Sequence, residues 1–193
     1  MENLFALTKT YLIALSKSRF FNNSLVHAFC ASWLIALGAH ITVPFYPVPM
    51  TMQTFVIALV ALLAPWPTAM GATVLYLGYA AVGMPVLAGG ARGMAVLLGP
   101  TAGYLLGFVL MSGATAALTQ RYQAQGVLAR LGFALIGTLL LFGAGLTHLA
   151  HLFGWETAFK TGLLPFMLSE PTKLALAAYL SVFIRDKYLN KTK

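Results

Sequence analysis

Charge is what this sequence has least of. Asp, Glu, Lys and Arg make up 8% of 193 residues, against roughly 25% in soluble domains, and the mean hydropathy is +0.83. That composition describes an integral membrane protein of one domain, because no polar stretch is long enough to fold as a second, soluble one. Acidic groups are scarcer still. Four of them, with no paired carboxylates, no H-E-x-x-H and no G-x-S-x-G, leave little for acid–base or nucleophilic catalysis, so an enzyme is not expected. The absence of G-x-x-x-x-G-K-[ST] excludes a P-loop ATPase on this chain alone. Cys30 is the only cysteine; it cannot form an intramolecular disulfide, and it reads as a packed thiol in the first apolar run. His148 and His151 lack a nearby carboxylate or thiol, so neither a metal site nor a cofactor is expected. The net charge of +8 does not point to nucleic acid, since the basic residues sit between apolar runs.

What is abundant is apolar sequence. A spanning helix needs about 20 mostly apolar residues, and six such runs are read near 24–43, 51–66, 67–83, 100–119, 128–151 and 162–184. The expected fold is an all-α membrane protein, a six-transmembrane-helix bundle. Residues 1–23 form an N-terminal cytoplasmic or interfacial arm, with Leu4, Leu7, Tyr11 and Leu15 at helical spacing, and 24–193 form the transmembrane substrate-binding domain. With the N-terminus inside, Lys9, Lys17, Arg19, Arg121, Arg130, Arg185, Lys187, Lys191 and Lys193 are cytoplasmic, while Arg92 and Lys160 lie outside. That bias predicts both termini in the cytoplasm.

The same topology gathers Gln53, Arg92, Tyr104, Glu170 and Lys173 toward the outer face. Glu170 and Lys173 share a helical face at a spacing of three. Pro171 between them fits a first helical turn, so the regular helix should begin near Ser169, acting as N-cap, with an irregular segment before it. The pair is either a ligand site or a structural ion pair. Arg92 stands in Gly89-Gly90-Ala91-Arg92-Gly93, a loop whose glycines permit close backbone approach. Arg92 either serves the ligand pathway or snorkels to headgroups. Pro44 to Pro49 reads as a stiff, extended connection, either a lid over an outer pocket or a short loop with an aromatic anchor. Ser24, Ala28, Ser32 and Ala36 form one small-residue ladder, suited to partner docking or to packing within the bundle. Gly99, Gly103 and Gly107 form a second, for which packing is the default.

Pro47-Val48-Pro49-Met50-Thr51-Met52-Gln53-Thr54, Gly83-Met84-Pro85-Val86-Leu87-Ala88-Gly89-Gly90, Leu97-Leu98-Gly99-Pro100-Thr101-Ala102-Gly103-Tyr104 and the Glu170-x-x-Lys173 pair resemble the BioY family. That family is the biotin-binding S-component of energy-coupling factor (ECF) transporters, and the resemblance spans residues 24–184. It implies a biotin pocket open to the outside, in a multi-pass protein of the inner (cytoplasmic) membrane. It also implies partners: membrane lipid, a transmembrane coupling subunit, and a pair of ABC-type ATPases that alone use ATP. By the resemblance Glu170 and Lys173 contact biotin, Glu170 standing where Asp is commoner. Ala91 and Arg92 depart from the family's Gly-Gly-x-Gly-Gly, and Leu105 stands where some relatives have an arginine, which makes Arg92 a candidate for the biotin carboxylate. Substrate-binding positions are then Glu170, Lys173, Arg92, Ala91, Gly90, Gln53 and Tyr104. Pro47, Val48 and Pro49 form the gating loop, and Ser24, Ala28, Ser32 and Ala36 the docking face for the coupling subunit. Val86, Leu87 and Met94 would wall the apolar part of biotin. A carrier for another vitamin and a non-transporting assembly subunit are the alternative readings.

Overall fold

The computed structural model describes residues 24–189; the arm at 1–23 lies outside them. Helices follow the apolar runs: α1 (Ser24–His40), α2 (Gln53–Leu63), α3 (Trp66–Ala81), a short α4 (Met94–Leu97), α5 (Ala102–Arg121), α6 (Val127–Phe153), α7 (Trp155–Gly162) and α8 (Ser169–Ile184). A π-helical turn, Arg185–Leu189, follows α8. Of the described helices, α5 and α6 are long and apolar enough to cross a membrane; α1 and α2 are apolar but shorter. Long helices alternate in direction, so one end of the bundle gathers the ends of α1, α3 and α6 with the starts of α2, α5 and α8.

Helix boundaries follow local chemistry. Pro65 and Pro67 bracket the start of α3, where a proline costs no intrahelical bond. Pro171 sits in the first turn of α8, as expected, and the segment before it is a 3₁₀ turn at Leu164–Phe166. Ser169 does not cap this helix: residue 168 holds the N-cap position and makes no side-chain cap, while the Ser169 hydroxyl donates to the Phe166 carbonyl at 3.4 Å. The amphipathic α7 falls between the apolar runs, because its Glu156 and Lys160 interrupt the apolar pattern.

The three-proline connection is not an extended strap. It doubles back as a hairpin, with Thr42–Val43 (β1) antiparallel to Met50–Thr51 (β2) and a cis Tyr46–Pro47 bond at its tip. Backbone pairing requires the chain to turn between the two strands. Met52 then ties the hairpin to α1 by donating its N–H to the Gly38 and Ile41 carbonyls at 3.2 and 3.0 Å.

The small-residue ladder of α1 faces inward. Ala28, Ser32 and Ala36 are buried, at 3%, 0% and 2% exposure, and the Ser32 hydroxyl lies 3.3 Å from the Tyr79 hydroxyl of α3. Ser24, at the helix end, is exposed. The docking expectation therefore fails for Ala28, Ser32 and Ala36: small side chains let α3 approach closely, and that approach covers them. Cys30 is exposed rather than packed, since it lies about 200° around the helix from both Ala28 and Ser32. On α5 the glycine ladder does pack within the bundle. A methyl group at Gly107 would stand 2.8 Å from the Leu141 carbonyl oxygen of α6, leaving no room for one.

At the end opposite the α2 start, Arg130 is 4% exposed. It donates Nη1 to the Leu62 carbonyl at the end of α2 (2.9 Å) and Nε to the Ala124 carbonyl (3.1 Å). Arg185 donates to the Ala124 and Gln125 carbonyls at 3.0 and 2.9 Å. Two guanidinium groups thus satisfy carbonyls that a helix end and a tight loop leave without partners.

Candidate functional site

A cavity of about 410 Å³ opens among the starts of α2, α5 and α8, within the range of small-molecule sites. Most of its lining is apolar. Phe108 comes from α5, Leu141 and Phe142 from α6, Phe166 from the 3₁₀ turn, and Leu87, Ala88 and Ala91 from the glycine loop. Phe142 meets Phe166 and Tyr104 edge to face at ring separations of 5.8 and 6.0 Å. The hairpin supplies Tyr46, Pro47, Val48 and Pro49. Val48 is 5% exposed while Tyr46 is 85% exposed, so Val48 is buried under the hairpin and Tyr46 stands at the cavity's open rim.

Polar groups converge at one end, where β2, α2, α3 and α8 bring Thr51, Gln53, Thr54, Tyr76 and Glu170 to the wall. Gln53 accepts from the Thr51 hydroxyl at 2.9 Å and donates Nε2 to the Tyr76 hydroxyl. Glu170 is 4% exposed; its Oε1 accepts from the Thr54 hydroxyl at 3.1 Å and is ion-paired with Lys173. Lys173 also donates to the Thr51 carbonyl (2.9 Å) and to Thr54 Oγ1 (2.8 Å). An ammonium has three donors, and each of these has an acceptor within the protein. Glu170 Oε2 is different: it is buried and has no hydrogen-bond partner. Glu170 itself lines the chamber, so the carboxylate there keeps an acceptor oxygen that no protein donor has taken, a strong one for N–H groups. The Tyr76 hydroxyl accepts from Gln53 and keeps its own proton to donate.

Of the residues singled out by sequence, Glu170, Gln53, Tyr104, Ala91, Pro47, Val48 and Pro49 line this cavity. Tyr104 spends its hydroxyl on the Gly162 carbonyl at 2.9 Å, so it contributes ring surface. Lys173 lies behind Glu170 rather than on the wall. Gly90 and Arg92 do not line it either; Arg92 is exposed, next to Ala91. Positive φ at Gly89, Gly90 and Gly93 lets the loop fold back so that the Gly93 N–H reaches the Ala80 carbonyl at 2.8 Å. Of the three expected apolar wall residues Leu87 lines the cavity, whereas Val86 does not and Met94 is 53% exposed. His148 donates to the Gly99 carbonyl at 3.1 Å.

Tyr76, Thr54 and the Phe108–Phe142–Phe166 wall escaped sequence reasoning. A signal for Tyr76 existed: Ala69, Ala72, Thr73, Tyr76 and Ala80 recur at helical spacing as the buried face of α3. A large tyrosine on an otherwise small face marks where that face meets a space. The phenylalanines carry no such signal in a chain with 13 of them.

Comparison with known proteins bears on the fold and the family. The model of the BioY family matches residues 11–190, reaching into the arm that precedes α1. The "Probable biotin transporter BioY" of Pyrococcus horikoshii is 34% identical, over 82% of this chain and 92% of its own. The "Biotin transporter BioY" of Thermotoga maritima is 30% identical, over 79% and 89%. The crystal structure of the S-component for biotin from an ECF-type ABC transporter superposes with a TM-score of 0.77 at 21% identity, covering 85% of this chain and 91% of that one. That likeness carries the fold, and the extent of the sequence match carries the relationship: the chain belongs to the BioY family.

Proposed function

We propose that this chain captures biotin at the outer face of the cytoplasmic membrane, as the S-component of an ECF-type transporter. The observation that carries the reading is Glu170 Oε2, an unpartnered buried carboxylate oxygen at the polar end of an otherwise apolar cavity, in a chain whose relatives are named biotin transporters. A cyclic urea fits that end. Its N–H groups donate to Glu170, and its carbonyl accepts from Tyr76 or from the second Gln53 N–H. The thioether ring and alkyl chain fit Phe108, Phe142 and Phe166. The carboxylate falls to Arg92, because all three Lys173 donors are engaged and Arg92 has no ion-pair partner among the described residues. Pro47, Val48 and Pro49 act as the lid.

In this reading α1, α2, α3, α5, α6 and α8 span the membrane. The short α2 is completed by hairpin and loop that pack within protein at membrane depth. Both termini are cytoplasmic, supported by Arg121, Arg130, Arg185 and Lys187 at the end opposite the cavity. No cofactor is needed; ATP is used by a pair of partner ATPases joined through a transmembrane coupling subunit. Ala28, Ser32 and Ala36 are covered, so that subunit docks on a surface other than these three side chains. Equilibrium binding of radiolabelled biotin to the purified chain tests the proposal. Saturable one-site binding is expected, and its absence would reject it.

A further inference from the structure

We infer that α7 is an interfacial anchor: its aromatic side seats at headgroup level in the outer leaflet, and its last residues pass that seat on to the cavity wall. The choice of leaflet and the ligand rest on the biotin reading; the seat does not. Gly154 ends α6 and begins α7 with φ +81° and ψ 158°, so the chain changes direction there instead of continuing one long helix. The eight residues of α7 rise about 12 Å, too little to cross a hydrocarbon core of about 30 Å. The helix therefore stays at the end of the bundle where the cavity opens. Its sides differ in chemistry. Ala158 and Gly162 are buried against the bundle. Trp155 and Phe159, about 40° apart around the helix, are 57% and 46% exposed, with ring centroids separated by 5.9 Å. Glu156 and Lys160 lie about 100° further round, ion-paired at 2.6 Å with side chains 82% and 66% exposed. A helix in the headgroup region covers such a pair of rings and leaves the charges in water. The apolar band continues on both sides, through exposed Leu152 and Phe153 before α7 and exposed Leu164 and Met167 after it. The link to the cavity is short. The Gly162 carbonyl, on the last residue of α7, accepts from the Tyr104 hydroxyl at 2.9 Å. Phe166 follows in the adjoining 3₁₀ turn, its N–H donating to the Leu163 carbonyl at 2.9 Å. Tyr104 and Phe166 both line the cavity, so a displaced α7 displaces two wall residues.

Tryptophan fluorescence tests the seat. With Trp33→Phe and Trp66→Phe, Trp155 is the one tryptophan left in the chain. The purified full-length chain is placed in phosphatidylcholine vesicles brominated either near the headgroup or near the methyl end of the acyl chain. A side sunk about 5–10 Å predicts quenching about twofold stronger from the shallow bromines. No quenching from either lipid, as for rings facing water or covered by another protein copy, overturns the anchor. Stronger quenching from the deep bromines overturns it too. The link to the wall is read as the rate of biotin dissociation in unbrominated vesicles. Trp155 and Phe159 do not line the cavity, yet Trp155→Ser/Phe159→Ser should speed dissociation at least about fivefold, the low end of ordinary coupling between sites. Leu128→Ser, at an exposed apolar position at the opposite end of α6, should leave the rate unchanged. An unchanged rate in the paired variant, or equal acceleration by Leu128→Ser, overturns the link. If the unmodified chain binds no biotin, the biotin reading fails, and the quenching still decides the anchor.

Discussion

At Glu170 the two carboxylate oxygens do different jobs. Oε1 is held by Thr54 and Lys173, which fixes the side chain; Oε2 is buried without a hydrogen-bond partner and is left to accept. Removing the charge while keeping the shape should therefore weaken recognition without dismantling the site. Glu170→Gln is expected to raise the biotin Kd about tenfold, the difference between a charged and a neutral acceptor, as read by equilibrium binding. An unchanged Kd would make the pair purely structural. Tyr76→Phe removes the hydroxyl that accepts from Gln53 and leaves a buried amide donor without its partner, a loss of about 1–3 kcal/mol. It should weaken biotin and biotinamide alike. Arg92→Gln should weaken biotin alone, because its guanidinium is assigned to the carboxylate.

Between elements, close approach and carbonyl capping hold the bundle. Gly107 lets α5 lie against α6, and an added methyl meets the Leu141 backbone at 2.8–2.9 Å, which a side-chain rotation cannot relieve. Gly107→Ala is expected to cost about 1–3 kcal/mol through overpacking, read as a lower melting temperature in detergent with the biotin stoichiometry preserved. At the other end, Arg130→Met would strip the Leu62 carbonyl of its donor and one of the two from Ala124. A loss of about 2 kcal/mol should appear in the same measurement. Leucine at Ala28 or Ser32 would act likewise: these positions face α3, so larger side chains push two helices apart before any partner is met.

For the whole molecule, the asymmetry of charge is the useful quantity. Arg121 and Lys160 stand at opposite ends of the bundle, and the Lys160 side chain is 66% exposed. In intact cells, and with Cys30→Ser to remove the background thiol, Lys160→Cys should react with a membrane-impermeant maleimide while Arg121→Cys stays unlabelled. The reverse pattern would invert the orientation and put the cavity on the wrong side for capture.

The linear sequence by itself determined the helical class, the runs of apolar residues that become the long helices, the start of α8 around Pro171, and the family. Each depends on local composition or on motifs that survive as short words. It also named Glu170, Gln53 and Tyr104, because polar groups in an apolar chain stand out. Only the tertiary structure decided which Glu170 oxygen is free, that Lys173 is spent within the protein, that Tyr76 and three phenylalanines complete the wall, and that the α1 ladder is covered. Those outcomes depend on distances between residues as many as 122 positions apart. A side chain with three donors reads the same in sequence whether its acceptors are protein or ligand; packing alone tells them apart.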